Sequence, residues 1–473
     1  MKTLDKCYID GLWVPVSGRD SFERKNPTTE EPLVRLKMAT AADADQAVKA
    51  ARRAFPRFSR SSTAERIELL ESVIARFTAR QAELADIVCT ELGAPKSATI
   101  HTVGTIGVLN EAVATLKNYK FEVFQGPNLI SRDPIGVCAL IAAWNWPLQL
   151  LGTKVGYALA AGCTMVLKPS EFTPLSAIAF AEILHEAGTP PGVFNLVIGD
   201  GATVGNALCA HPEVDMVSFT GSTRAGILVA EAAAPTVKRV SQELGGKSPC
   251  VVLPDADVTA AAQWTMGRAF FNTGQSCHAP TRLLVHESQI DEAIAALRKE
   301  GAKVQPGDPF DSGTTMGPLI NEAQFERVQK YIQIGMDEGA ELVCGGLGRP
   351  EGLKRGYFAK PTVFARVDPR SKIAQEEVFG PVLALIAYSD VKEAIDIANG
   401  TEYGLGAYAF SKDPDAGLAL CRQLRAGRVF FNGAASNPAA PMGGYKKSGN
   451  GRAMGVFGLE EYLEVKAMVG FAD

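Results

Sequence analysis

The chain has 473 residues, room for two to four domains that each bury a core of their own. Hydrophobic residues make up 46% and charged ones 21%, with a net charge of −4 and no basic block that would hold a nucleic-acid backbone. No uninterrupted apolar run reaches the roughly 18 residues of a spanning helix, so neither a nucleic-acid nor a membrane partner is expected.

Residues 1–38 read as short strands and turns, with turn chemistry at Asp10-Gly11 and Ser17-Gly18. Ala44, Ala47, Val48, Ala51 and Phe55 share one face at the 3.6-residue period and predict a helix over 41–58. Ser62-Thr63-Ala64-Glu65 caps a helix running to 79, and further helices are predicted over 80–92 and 99–119. Residues 120–130 are extended around Gly126-Pro127.

From residue 135 short apolar strands alternate with helices. Strands over 136–141, 164–168, 193–197 and 216–219 lead into helices from 147, over 173–187, 201–209 and 224–234. This alternation predicts a parallel, doubly wound sheet. The loop Gly199-Asp200-Gly201-Ala202-Thr203-Val204-Gly205 follows a strand, but its spacing is GxGxxxG, so the usual dinucleotide fingerprint is absent. A plain turn and a ligand-touching loop remain open for it.

A second α/β pattern starts after residue 246. Its strands are predicted near 249–253, 282–285, 341–344, 382–387, 408–410 and 428–431, with helices over 322–338 and 392–399. The Gly-rich run over 442–451 reads as a long functional loop.

Nine cysteines lie scattered without a CxxC pair, and the five histidines do not cluster at ligand spacing. No disulfide framework and no metal site is therefore expected. Residues 1–6 lack the apolar core of a secretory signal, and the expected location is the cytoplasm.

One cysteine stands apart. Cys277 ends a Gly274-Gln275-Ser276 turn behind Phe270 and Phe271, with Glu243 upstream in Glu243-Leu244-Gly245-Gly246-Lys247 and Asn145 in Trp144-Asn145-Trp146-Pro147. A thiol, a carboxylate and an amide are the parts needed for acyl chemistry through a thioester: nucleophile, base and oxyanion donor. Each also has a plain structural reading, as a buried thiol, a surface carboxylate and a turn asparagine.

With Lys168-Pro169-Ser170-Glu171, Phe219-Thr220-Gly221-Ser222-Thr223 and Glu377-Val378-Phe379-Gly380-Pro381 added, the chain resembles the aldehyde dehydrogenase superfamily from about residue 13 to 469. The resemblance implies an α/β fold: a Rossmann-like NAD-binding domain over 1–118 and 136–245, an α/β catalytic domain over 246–458, and a small β oligomerisation element from 119–135 and 459–473. It implies NAD(P)-dependent oxidation of an aldehyde to the acid. Cys277 adds to the carbonyl, Asn145 holds the oxyanion, hydride passes to the nicotinamide, and Glu243 activates water against the thioester. A CoA-acylating relative is the alternative, disfavoured by Glu243, since acyl transfer to a thiol requires no water-activating base.

The cofactor, NAD with NADP possible, falls by resemblance to Trp144, Lys168, Ser170, Glu171, Gly201, Gly205, Phe219, Gly221, Ser222, Leu244, Gly245, Glu377 and Phe379. The substrate tunnel falls to Trp146, Gln149, Leu150, Thr153, Phe271, Ser276, His278 and Met442. Two aromatic walls and no arginine among these eight favour an apolar or aromatic aldehyde over a dicarboxylic semialdehyde, unless Arg282 or Arg425 reaches in. Ala453 stands where many members carry a proton-relaying glutamate. A homo-oligomer, dimer or tetramer, is implied.

Overall fold

Every residue of the strands Val137–Ile141 and Thr164–Lys168 is buried, so both faces of their sheet need cover, and helices supply it. In the computed structural model, which describes residues 1–471, these strands lie in the middle of an eight-stranded sheet. Residues 472 and 473 of the predicted 459–473 segment lie outside the described residues. From one edge the order is Gly449–Asn450, Arg239–Glu243, Met216–Thr220, Val137–Ile141, Thr164–Lys168, Phe194–Leu196, Lys6–Ile9 and Leu12–Pro15. The five strands between 137 and 243 run parallel, and each outer strand pairs antiparallel with its inner neighbour.

Chain direction across this sheet reverses at Val137–Ile141. The next two strands, Thr164–Lys168 and Phe194–Leu196, lie on one side of it, and Met216–Thr220 and Arg239–Glu243 on the other. Such a reversal opens a crevice at the carboxyl ends of the strands, the usual ligand position in open α/β sheets. The loops leaving Val137–Ile141 and Met216–Thr220 carry Trp144-Asn145 and Gly221-Ser222.

A second, seven-stranded sheet runs Glu341–Cys344, Thr362–Ala365, Val382–Tyr388, Arg282–His286, Pro249–Val252, Gly406–Phe410, Arg428–Phe431. Only its Glu341–Cys344 edge is antiparallel. A third sheet pairs Leu463–Val469 with Asn128–Pro134, which also pairs with Glu122–Gln125. The helices begin where cap chemistry places them: Thr40 with Asp43, and Ser62 with Glu65, form reciprocal capping boxes.

Three features differ from the sequence expectation. Arg239–Glu243 is a strand although Val240 is its one apolar residue, because Met216–Thr220 offers it a parallel partner. Thr362–Ala365 is a further strand, between two that were expected. The Gly-rich run is not simply a loop: Gly449–Asn450 returns to pair with Gln242 and Glu243 and closes the first sheet. Its backbone lies too close for any side chain, since a Cβ on Gly449 would stand 2.1 Å from the Gln242 carbonyl oxygen at a φ of +118°.

Candidate active site

Helix Val258–Phe270 ends directly before the cysteine loop. Asn272 and Thr273 then adopt left-handed φ of 54° and 58°, which cost strain unless the surroundings hold them. They are held. The Asn272 amide donates to the Asn145 carbonyl at 2.9 Å, Thr273 Oγ1 donates to the Gly317 carbonyl at 3.0 Å, and Gln275 Oε1 accepts from the Ile320 N–H at 2.9 Å. The strained turn delivers Cys277 to the wall of a cavity of about 690 Å³.

Cys277 is partly exposed and unpaired. Burial pushes its thiol up to about 12, with Glu377 and Glu243 adding to the rise and the backbone N–H groups of Cys277 and His278 opposing it. Asn145, 4% exposed, donates one amide N–H to the Gln275 carbonyl at 3.0 Å. Its orientation is fixed by the cysteine loop itself, which leaves the second N–H for a ligand.

Glu243 ends its strand on the same cavity, and neither carboxylate oxygen has a hydrogen-bond partner among the described residues. Burial raises it to about 8, Lys154, Arg452 and Arg428 pull it down, and Glu461 pushes it up. Lys154 is buried, donates to Ser218 Oγ at 2.7 Å, and is pushed down to about 7 by burial. Gly245 and Gly246 separate Glu243 from the opposite loops. A Cβ on Gly245 would stand 2.4 Å from Glu377 Oε2, and one on Gly246 2.4 Å from the Cys277 carbonyl oxygen. Only glycines let the base strand, the cysteine loop and the Glu377 loop converge here.

Trp144, Gly221, Ser222, Leu244, Gly245, Glu377 and Phe379 line the same cavity. Ser222 caps the helix Thr223–Ala233 at a position suited to an anion. Glu377 Oε1 accepts from the Gly246 N–H at 2.9 Å, and Phe379 meets Trp144 edge to face at 5.3 Å. Lys168, Ser170, Glu171, Gly201, Gly205 and Phe219 do not line that cavity; they follow the carboxyl edge of the first sheet. Lys168 Nζ lies 3.7 Å from a Glu171 carboxylate oxygen, and its stem passes under Gly205 in a single π-helical turn, Gly201–Gly205, capped by Asp200. Carboxylates at both ends and a helix N-terminus between them suit a ribose–pyrophosphate–ribose ligand, so this donor set fits a dinucleotide.

On the substrate side Trp146, Gln149, Leu150, Thr153, His278 and Met442 reach the cavity, whereas Phe271 and Ser276 do not. Trp146 covers both. Its ring stacks on Phe271 at 6.0 Å and on His101 at 4.4 Å, and its Nε1 donates to Ser276 Oγ at 3.2 Å. The arginine expectation also changes. Arg282 is buried with its donors on the Lys247, Ile397 and Ala398 carbonyls, and Arg425 lies outside the cavity, but Arg268, Arg428 and Arg452 line it, as does Arg327, which donates to the Val378 and Glu377 carbonyls.

The aldehyde dehydrogenase family description matches residues 13–468. A 3-succinoylsemialdehyde-pyridine dehydrogenase of a Pseudomonas species is 49% identical over 474 residues, 100% of this chain and 99% of that one. The chain belongs to the aldehyde dehydrogenase family. It is an oxidoreductase that acts on aldehydes with NAD(P)⁺. A putative aldehyde dehydrogenase of Staphylococcus haemolyticus is 45% identical over the full length of both chains. Among solved structures, a cysteine-to-alanine mutant of aldehyde dehydrogenase C from Pseudomonas syringae, complexed with NAD⁺ and octanal, matches with a TM-score of 0.98 at 49% identity, covering 99% of this chain and 97% of that one. A Mycobacterium tuberculosis aldehyde dehydrogenase complexed with NAD⁺ matches at 0.96 and 40%, covering 99% and 98%.

In this aldehyde dehydrogenase Ala453 puts no carboxylate on the cavity wall, and its backbone bridges to Met442. Glu461 supplies one instead: it lines the cavity and accepts from the Arg452 N–H at 2.7 Å. Sequence reading missed Glu461, and also Trp264 and Arg268, which share one face of helix Val258–Phe270 at an i, i+4 spacing. No local pattern marked the pair, since the same helix also carries Thr259, Gln263 and Thr265.

Proposed function

We propose that this enzyme oxidises apolar, medium-chain or aromatic aldehydes to free carboxylic acids, with Cys277 as nucleophile, Asn145 and the Cys277 N–H as oxyanion donors, and Glu243 as base. The observation that carries it is the unpartnered Glu243 carboxylate facing the same cavity as Cys277 and the fixed Asn145 amide. A carboxylate with no protein partner is free to bind and deprotonate a water. Bound NAD(P)⁺ accepts the two electrons. The chain's own groups bind the carbonyl, hold charge on its oxygen, and then hydrolyse the acyl group on sulfur.

The apolar substrate reading is supported by the Trp144, Trp146, Trp264 and Phe430 walls and by the octanal in the P. syringae relative. Arg428 has all three guanidinium nitrogens occupied by the Pro441 and Ala440 carbonyls and Ser436 Oγ, so it presents no free fork to a substrate carboxylate, while Arg452 spends Nη1 on the Gly451 and Gly444 carbonyls and Arg268 turns Nη2 to His278. NAD⁺ is preferred over NADP⁺ through Glu171. The division into 1–118 with 136–245, 246–458 and 119–135 with 459–473 is supported by the eight-stranded, the seven-stranded and the Leu463–Val469 sheets, with Gly449–Asn450 crossing from the second unit into the eight-stranded sheet. The protein is cytoplasmic and assembles as a homo-oligomer; no helix among the described residues is long and apolar enough to cross a membrane.

The test is product analysis over an aldehyde panel with and without coenzyme A. Free acid should form in both, with octanal- and benzaldehyde-type substrates giving the highest kcat/KM. Acyl-CoA accumulation would overturn the hydrolytic reading, and a dicarboxylic semialdehyde at the top of the panel the substrate reading.

A further inference from the structure

His278 lies directly after the nucleophile, and its two ring nitrogens face different groups. Arg268 Nη2 is 3.0 Å from Nε2, and Cys277 Sγ is 3.9 Å from Nδ1. A guanidinium has five N–H donors and no acceptor, so in this contact Nε2 accepts. A neutral imidazole carries one proton, which must then sit on Nδ1, the nitrogen that faces the sulfur. The ring is kept neutral here: burial, Arg268 and Arg428 push it down to about 3. Its backbone is pinned as well, because the Tyr408 hydroxyl donates to the His278 carbonyl at 2.9 Å.

We propose that Arg268 locks His278 in its Nδ1–H tautomer, so that His278 serves as a hydrogen-bond donor to the Cys277 thiolate. The proposal rests on Cys277 being the nucleophile. The donor answers a local need. Around Cys277 stand Glu243 from strand Arg239–Glu243 and Glu377 from the loop that leads into strand Val382–Tyr388, both disfavouring a thiolate. Around His278 stand Arg268 from helix Val258–Phe270, Arg428 from strand Arg428–Phe431 and Tyr408 from strand Gly406–Phe410. A neutral N–H donor stabilises sulfur's negative charge without adding a cation that would pair with Glu243 and quench the base. It also excludes His278 as the base for the thiol, since its lone-pair nitrogen faces an arginine.

The experiment is alkylation of full-length enzyme by iodoacetamide across the alkaline range, with modification of the Cys277 peptide followed by mass spectrometry. His278→Phe and Arg268→Met should move the alkylation midpoint up by about one pH unit. His278→Asn, whose amide N–H can reach sulfur, and Arg268→Lys, still a pure donor, should stay near wild type. Retained NAD⁺ binding certifies the fold of each variant. An unmoved or lower midpoint in His278→Phe overturns the donor role; an unmoved Arg268→Met overturns the tautomer lock. Turnover of Cys277→Ala reads the underlying assignment separately: residual activity there sinks the nucleophile, whatever the midpoints do.

Discussion

Glu243 has to be charged to take a proton from water, and its surroundings set where that happens. With its carboxyl raised to about 8 by burial, hydrolysis should rise with pH through that value and level off above it. Removing the nearby negative charge in Glu461→Gln should move this limb to lower pH. Lys154→Met should move it to higher pH, because Lys154 is the first of the cations that pull the Glu243 carboxyl down. Steady-state kcat against pH reads both shifts. Glu243→Gln should lower kcat by about 10²–10⁴ while leaving a burst of NADH in the first turnover; loss of the burst would place Glu243 at or before electron transfer. At the far end of the cofactor groove, Glu171→Ser should erode the preference for NAD⁺. Repulsion of the extra phosphate supplies about tenfold per ~1.4 kcal/mol, and Lys168, 3.7 Å away, already offsets part of it. The ratio of kcat/KM for the two cofactors is the measurement, and an unchanged ratio assigns the choice elsewhere.

Elements with strong local signals were legible in the sequence. The capped helices Ala41–Phe58 and Thr63–Ala79 and the apolar strands beside them could be read directly, because cap, period and burial all agree locally. Arg239–Glu243 and Gly449–Asn450 could not, because each is a strand only by virtue of a partner brought by the fold. The same holds at the site. Cys277, Asn145 and Glu243 stand in recognisable local motifs, whereas Arg268 and Glu461 matter through contacts that no local pattern records. The Gly449 ribbon provides a test at this scale. Gly449→Ala forces a Cβ to 2.1 Å from the Gln242 carbonyl oxygen at positive φ, so the ribbon must unpair from Glu243. A loss of about 1–3 kcal/mol in stability, together with a drop in kcat out of proportion to any change in KM, is expected from thermal unfolding and kinetics. Unaltered kcat in a destabilised variant would detach the ribbon from the placement of the base.

For the whole molecule, the third sheet ends in strands that a lone chain would leave bare. Val123, Phe124, Val465 and Val469 are exposed there, at 43%, 58%, 67% and 77%. Light scattering should give a dimer or tetramer mass, and Val465→Asp should shift it toward a single chain with the monomer still folded. A wild-type mass of one chain would remove the oligomer from the account. The closure of the first sheet has a consequence on another axis, that of time. Gln242 and its partner Asn450 are 208 residues apart in sequence, so during synthesis the edge strand that carries Glu243 waits for nearly half the protein to be made. At about 5–20 residues per second that interval is on the order of 10–40 s, during which a nascent chain can hold its cofactor-side strands folded yet present an open, sticky margin to the ribosome's surroundings.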